Sequence, residues 1–526
     1  MGAKTVGGIA RVRVTTCFVL AQGQRADGTP KLRRIDNAKE NGINAACRTV
    51  EAVTCISFMF PILIARAFVT AAAARRRPCP RLWLGLDDLK AAYRMVPVMQ
   101  IWLSVVAVWS TRRLRPLFYR LPGHAFGMLA SVANFCRLPA FICFTAQALL
   151  LVAVNHYVDD FVHVDLADAG NSSHDALRLV LYLLGFDVEL DKRQYAAPSN
   201  VVLGVLVNLA NAHRKDGCAT AEPTEKRVTK VLRMLRECAT ADKLAPATAS
   251  KLRGLLGFTL IAANWRFGRA ACQPLAKRAH DDQPPYKWTP ALRASHAFFE
   301  RTLPKLPALR VPMAPMRSKP VLLYTDASFS CPRDASGRRT RRATLGFYVN
   351  DPVTGAELWS RLVLPQSYYE YFAPDKRTYI AQAELTVAVA VWYTLPSLLQ
   401  DRAVMLFIDN VQALSAIIKG YASQPDCAAL VNCFHEAVFE LRSPLWAEWV
   451  ASEANIADWP TRDDKVHLIP STAKFVDMVL PPIERFKDML DFARDQTCKG
   501  DDSTAKARAR ASLPRAADTP AHAPPR

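Results

Sequence analysis

Tyr157, Val158, Asp159 and Asp160 sit between two short apolar runs, residues 152–158 and 161–166. That arrangement predicts two strands turning on a tight hairpin with adjacent carboxylates at its tip. Such a turn repels itself without a cation, and an oxygen-rich cluster of this kind suits Mg²⁺, which draws its ligands from carboxylates, water and substrate phosphates. Taken alone, four residues fit a solvated turn better. A second carboxylate sharpens the pattern. Asp88 closes the apolar run at 81–87, and a helix-like turn containing Tyr93 follows it. Two strands bring Asp88 beside Asp159. Asp87 competes for that place, but strand alternation sends neighbouring side chains to opposite faces. Asp88 is the choice, which leaves Asp87 as an exposed strand-end charge.

With 526 residues the chain has room for three or four domains. Hydrophobic residues at 51% and charged residues at 22% exclude a chiefly disordered, collagen-like or coiled-coil chain. Lys and Arg number 68 against 47 Asp and Glu, a formal net charge of +21 that favours a polyanionic partner: nucleic acid first, anionic membrane second. Thirteen cysteines without a CxxC pair argue against zinc ribbons and against a secreted disulfide framework. No secretory signal opens the chain, so an intracellular location, cytoplasm or nucleus, is expected. Residues 52–74 form an apolar stretch before Arg75, Arg76 and Arg77. Pro61 and Arg66 interrupt it, and the mean hydropathy of +0.02 agrees with a buried helix and no stable membrane association.

Along the chain, residues 1–220 alternate apolar strands with helices. Residues 221–302 turn helical and basic, with Val228, Val231, Leu232 and Leu235 at helical spacing. Residues 303–320 carry a proline every few positions and predict a semi-rigid linker. Residues 321–465 return to strands and helices as a compact mixed sheet, and 466–526 form an extension whose tail, lacking apolar periodicity, is expected to be disordered.

The ordered series "DLKAAYRMVPV", "FGMLASVANF" (126–135), "YVDD", "LGFDVELDK" (184–192) and "VVLGVLV" (201–207) resembles the motifs of retroelement reverse transcriptases. The resemblance spans residues 15–465 and implies an α/β and α+β multidomain fold: a right-hand polymerase with fingers, palm and thumb, then a ribonuclease H-like mixed sheet. It implies a palm in which Asp88, Asp159 and Asp160 surround two Mg²⁺ ions, with Mn²⁺ as substitute. It places Tyr93 beneath the incoming sugar as a bar to the 2′-hydroxyl, and Gly127 and Ser131 on the helix that touches the incoming nucleotide and template. Arg33 and Arg34, with Lys31 as a weaker candidate, match the triphosphate-gripping fingers segment, and Lys192 matches a lysine near the pyrophosphate. The family has more sequence ahead of this point, so either shortened fingers or a gene model that begins late is expected.

A second carboxylate set follows the linker. Asp326 lies in a strand, Glu384 in a helix, Asp409 at the end of a strand and Asp458 in "ANIADWPTR". Each has an ordinary reading, a surface helix residue for Glu384 and a helix cap for Asp458. Together they match the order in which the ribonuclease H fold supplies its four metal ligands, again for two Mg²⁺ ions. Where many relatives carry a histidine before the last acid, this chain has Ser452 and Glu453. Asn410 is expected at the hybrid or in local turn bonding.

Lys251, Arg253, Arg266 and Arg269, interleaved with Phe258, Trp265 and Phe267, match the thumb and connection, where basic side chains neutralise phosphates without sequence preference. The implied partners are an RNA template, a DNA primer, RNA:DNA hybrid and deoxynucleoside triphosphates. "KLRRIDN" and "NIADWPTR" lean towards the DIRS-like group. No recombinase, integrase, protease or zinc knuckle is legible. Two other readings stand beside this one: a decayed or domesticated nucleic-acid-binding protein without catalysis, and a basic membrane-associated protein resting on 52–74.

Overall fold

The computed structural model describes residues 14–24, 28–40, 42–47, 52–90, 92–99, 104–262, 266–281, 284–314, 319–333, 340–373 and 377–485. It is a mixed α/β protein that divides into two compact units, Met1–Thr224 with Leu309–Pro315, and Glu225–Ala308 with Met316–Arg526.

The first unit runs β1 (Val14–Gln24), β2 (Pro30–Asp36), α1 (Ile43–Ala46), α2 (Met59–Ala74), β3 (Leu82–Asp88), α3 (Ala92–Met95), β4 (Val105–Ser110), β5 (Arg115–Arg120), α4 (Leu129–Leu150), β6 (Ala153–Tyr157), β7 (Asp160–Leu166), α5 (Ser172–Leu183), β8 (Gln194–Ala197), β9 (Ser199–Val202), β10 (Val205–Asn208) and β11 (Cys218–Pro223). The later strand β12 (Leu309–Pro312) joins it. Three four-stranded sheets result, ordered β2-β1-β4-β5, β6-β7-β3-β8 and β12-β11-β10-β9. Strand β3 is buried along almost its whole length, as expected of a central strand covered on both faces. Phe135, Ile142 and Ala146 of α4, Leu177 and Leu181 of α5, and Val154 and Phe161 of the hairpin form one core.

Helix α4 is, by length and composition alone, apolar enough to cross a membrane, with mean hydropathy 1.4 and 44% of that stretch buried within the protein. Its buried side chains rest on the β6–β7 hairpin, the arrangement of a core helix. The apolar stretch at 52–74 supplies α2, which buries Pro61, Ile62 and Ala65 and leaves Arg66 exposed. Pro61 is tolerated because it lies in the first turn, where its missing N–H costs no helical bond.

The second unit runs α6 (Glu225–Thr240), α7 (Pro246–Ile261), α8 (Gln273–Arg278), α9 (Pro290–Thr302), β13 (Val321–Ser330), β14 (Arg342–Asp351), β15 (Ala356–Val363), α10 (Ile380–Thr394), α11 (Pro396–Leu399), β16 (Val404–Ile408), α12 (Val411–Lys419), α13 (Pro425–Glu440), β17 (Leu445–Trp449), α14 (Asp458–Thr461) and β18 (Lys474–Phe475). Its six-stranded sheet is ordered β17-β16-β13-β14-β15-β18. β13, β14 and β15 form an antiparallel meander, while β16 runs parallel to β13 and β17 parallel to β16. Helix α10, buried on every side from Ala381 to Trp392, packs on β13 and β14.

Two features depart from the sequence reading. Helices α6, α7 and α9 are not a separate body: Leu232, Leu256, Phe298 and Phe299 belong to the same hydrophobic core as Phe347 and Trp392 of the sheet unit. Their amphipathic faces close only by packing there. The proline-rich stretch expected as a linker contains β12, an edge strand paired with β11. Proline excludes a central strand but not an edge. The tail beyond residue 485 lies outside the described residues.

Candidate active sites

Antiparallel pairing of β3 with β7 sets Asp88 opposite Asp160 and Asp87 opposite Phe161. Tyr157 pairs with Asp160, so the hairpin turns on Val158 and Asp159 alone. Val158 takes φ 55°, a region costly for a β-branched side chain. The Leu89 amide donates to the Asp159 carbonyl at 3.1 Å, tying the turn to the end of β3. Asp88, Asp159 and Asp160 therefore gather at one end of the sheet. Burial, then the charges of Asp159 and Asp88, push the Asp160 carboxyl up to about 6, and Lys192 opposes them. The half-exposed Lys192 ammonium forms an ion pair with Asp88.

Tyr93, on α3, stands edge-on between Phe126 and Phe135, with ring centroids 5.1 and 5.2 Å away. Next to it, Arg94 donates to Asp36 Oδ2 at 2.5 Å. Asp36 is fully buried and also receives the Phe126 amide (2.9 Å) and the Cys17 thiol (2.6 Å), with Arg34 Nε at 3.6 Å. Arg34 thus sits on a buried carboxylate, while the side chains of Lys31 and Arg33 lie outside the described residues. Gly127 adopts φ +98°, and a Cβ there would meet the Asp36 carbonyl oxygen at 2.4 Å, so no other residue fits without displacing β2. Ser131 corrects the sequence reading. It is 1% exposed and its hydroxyl donates to the Ala125 carbonyl at 2.9 Å, so it ties the first turn of α4 to the preceding loop and shows no face to a template.

Asp87 corrects another. It is buried, not an exposed strand end: His174 Nδ1 lies 2.7 Å from Oδ2 and Arg193 Nε donates to Oδ1 at 2.7 Å. Burial opposes its charge, but these two partners outweigh burial and hold the carboxyl below its ordinary value. His163 lies against His174 and is pushed down to about 3, first by burial.

In the second unit, Asp326 on β13, Glu384 on α10 and Asp409 just after β16 bring ligand oxygens within 4.8 Å of one another. The Ala327 amide donates to Glu384 Oε1 at 3.1 Å, and Oε2 is buried with no partner. Burial, then Asp326 and Asp409, push the Glu384 carboxyl well above its ordinary range. Burial lifts Asp326 to about 6, against a 2.5 Å hydrogen bond donated by the Thr461 hydroxyl and with help from Asp409 and Asp458. Ser452 Oγ donates to Asp409 Oδ2 at 2.7 Å. Thr461 carries no sequence signal, and Ser452 is marked only as standing where relatives carry a histidine. Asp458 starts α14 close enough to act on Asp326, and its carboxylate is paired with Arg462, one turn on, and Lys465. Burial opposes its charge, yet those cations hold the carboxyl below its usual value. Asn410 caps α12, its Oδ1 accepting from the Ala413 amide at 3.0 Å.

Among the basic residues of the helical segment, Lys251 and Arg253 stand exposed on α7. Arg266 is half-buried, and Arg269 lies with its guanidinium 5.4 Å from the Tyr421 ring centre. Phe267 is core, stacked on Phe439 at 4.6 Å, whereas Phe258 is exposed beneath Arg227. Trp265 lies outside the described residues.

No family model matches the chain, and no curated protein matches it. Solved structures do, among them a foamy viral protease-reverse transcriptase dRH in complex with double-stranded DNA. That chain is 14% identical with a TM-score of 0.38. The match covers 82% of this chain and 66% of that one.

Proposed function

We propose that the chain is an RNA-directed DNA polymerase that extends a primer by two-metal nucleotidyl transfer, joined to a ribonuclease H activity on RNA:DNA hybrid. The observation that carries the reading is the meeting of Asp88, Asp159 and Asp160 at one sheet end on a strained two-residue turn. On this reading the first unit holds fingers and palm, and helices α6 to α9 take the place of thumb and connection. The strand order with β13 central, flanked by the meander on one side and parallel strands on the other, supports a ribonuclease H-like second unit.

Both donor sets fit hard divalent cations. They are all oxygen, their neighbours help burial to raise Asp160 at the first site and Asp326 and Glu384 at the second, and Glu384 keeps an unbonded buried oxygen. Held there, such ions would supply Lewis acidity: a more acidic primer 3′-hydroxyl and neutralised phosphate charge at the first site, an activated water at the second. The chain's own residues do the positioning. Leu89 fixes the Asp159 backbone, Ala327 orients Glu384, Thr461 orients Asp326, and Ser452 orients Asp409. Tyr93, held edge-on by two phenylalanines, presents a rigid wall for the incoming sugar. Lys192 stands at the Asp88 carboxylate with half its side chain in solvent, within reach of a triphosphate.

A second reading, a nucleic-acid-binding protein without catalysis, draws on the ion pairs that occupy Asp458 and Asp88. Primer extension on poly(rA) with Mg²⁺ separates the two. Extension lost in Asp159→Asn supports the polymerase. No extension by the wild type, or equal extension by the variant, overturns it.

A further inference from the structure

Face alternation in β3 turns Asp88 towards the carboxylate cluster and Asp87 into the opposite side of the sheet, where it meets two histidines. His163 comes from β7, directly across from Gly85, and His174 from α5. Three lone-pair atoms converge: Asp87 Oδ2 is 2.7 Å from His174 Nδ1 and 3.8 Å from His163 Nε2, and the two nitrogens are 3.2 Å apart. A triangle with these sides has its equidistant point about 1.9 Å from each corner, close to the roughly 2.0–2.1 Å of zinc–nitrogen and zinc–oxygen bonds.

Hydrogen bonding alone does not satisfy this group. His174 Nδ1 alone faces both Asp87 and His163, while His163 Nδ1 and His174 Nε2 are buried without partners. The backbone leaves the space on purpose of shape: a Cβ on Gly85 would lie 2.4 Å from His163 Cε1 and 2.6 Å from His174 Nε2. Arg193 holds the other Asp87 oxygen, the outer contact that fixes a carboxylate ligand's orientation.

We propose that Asp87, His163 and His174 form a buried site for one imidazole-preferring divalent ion of the zinc class, separate from both carboxylate clusters, that pins α5 to the sheet. Imidazole nitrogens select such an ion over Mg²⁺, and the all-oxygen clusters do the reverse. The proposal is independent of any enzymatic activity.

The test uses the full-length chain, stripped with chelator and returned to millimolar Mg²⁺, then titrated with Zn²⁺ and, separately, Co²⁺. The expected result is one tightly bound ion per chain, a Co²⁺ spectrum with visible ligand-field bands and no thiolate charge-transfer band, and a rise in Tm on Zn²⁺ addition. His163→Gln and His174→Gln, checked for folding by circular dichroism, each weaken binding at least about 100-fold, whereas Asp88→Asn does not. Absence of stoichiometric binding, a thiolate band, or undiminished binding in folded His174→Gln overturns the site and leaves a hydrogen-bonded clamp.

Discussion

At the scale of single residues, the two acidic clusters are held in tension by their own charge. Burial pushes the Asp326 carboxyl up to about 6 from its ordinary 3.8. A carboxyl raised in this way contributes stability that is present below the unfolded value and lost as pH rises through the folded one. In metal-free protein, stability from Asp326 therefore falls between about pH 4 and pH 6, by on the order of 3 kcal/mol. Thermal melts across that window are expected to fall less steeply in Asp326→Asn than in wild type. Saturating Mg²⁺ is expected to reverse the trend, because the ion requires the charged form. Gly127 is the backbone counterpart. Gly127→Ala places a methyl on the Asp36 carbonyl at a positive φ and is expected to cost roughly 1–3 kcal/mol, read by chemical denaturation. That Asp87 and Asp88 turn to opposite faces of β3 was legible from alternation. The burial of Ser131 and the pairing of Asp458 were not, because each depends on what a neighbouring turn offers: a free carbonyl at Ala125, and cations at Arg462 and Lys465.

At the scale of elements, the β6–β7 hairpin stores strain where it presents carboxylates. Val158 at φ 55° is relieved by glycine, so Val158→Gly is expected to raise stability by about 1 kcal/mol in urea melts while slowing primer extension, because Asp159 is then held less firmly. Unchanged stability would show that the turn carries no strain. The strands and helices that shape both sites were legible from periodicity, since β3, β6, β7, β13 and β16 are short apolar runs bounded by turn residues or acids. Less legible was the grouping of helices α6 to α9 with the six-stranded sheet. An amphipathic face announces that it will be buried, not against which partner. β12 was hidden because proline spacing reads as a connector until an edge becomes available.

At the scale of the molecule, the proposed function assigns nucleic-acid binding to the formal charge of +21 and not to the carboxylate clusters. Asp159→Asn and Asp409→Asn are expected to bind RNA:DNA hybrid within about twofold of wild type, with affinity falling linearly on a log–log plot against salt. Filter binding over a salt series reads this directly. Lys251 and Arg253, exposed on α7, are expected to contribute to the slope, and Lys251→Ala with Arg253→Ala flattens it by about 2 if both touch phosphate.

The proposed function assigns two reactions to two carboxylate clusters in different units, so a crossed measurement is decisive: extension and hybrid cleavage assayed in parallel for wild type, Asp88→Asn and Glu384→Gln. The account predicts that Asp88→Asn loses extension and keeps cleavage, and that Glu384→Gln loses cleavage and keeps extension. Both reactions surviving in either variant, or both failing in a correctly folded one, would contradict it.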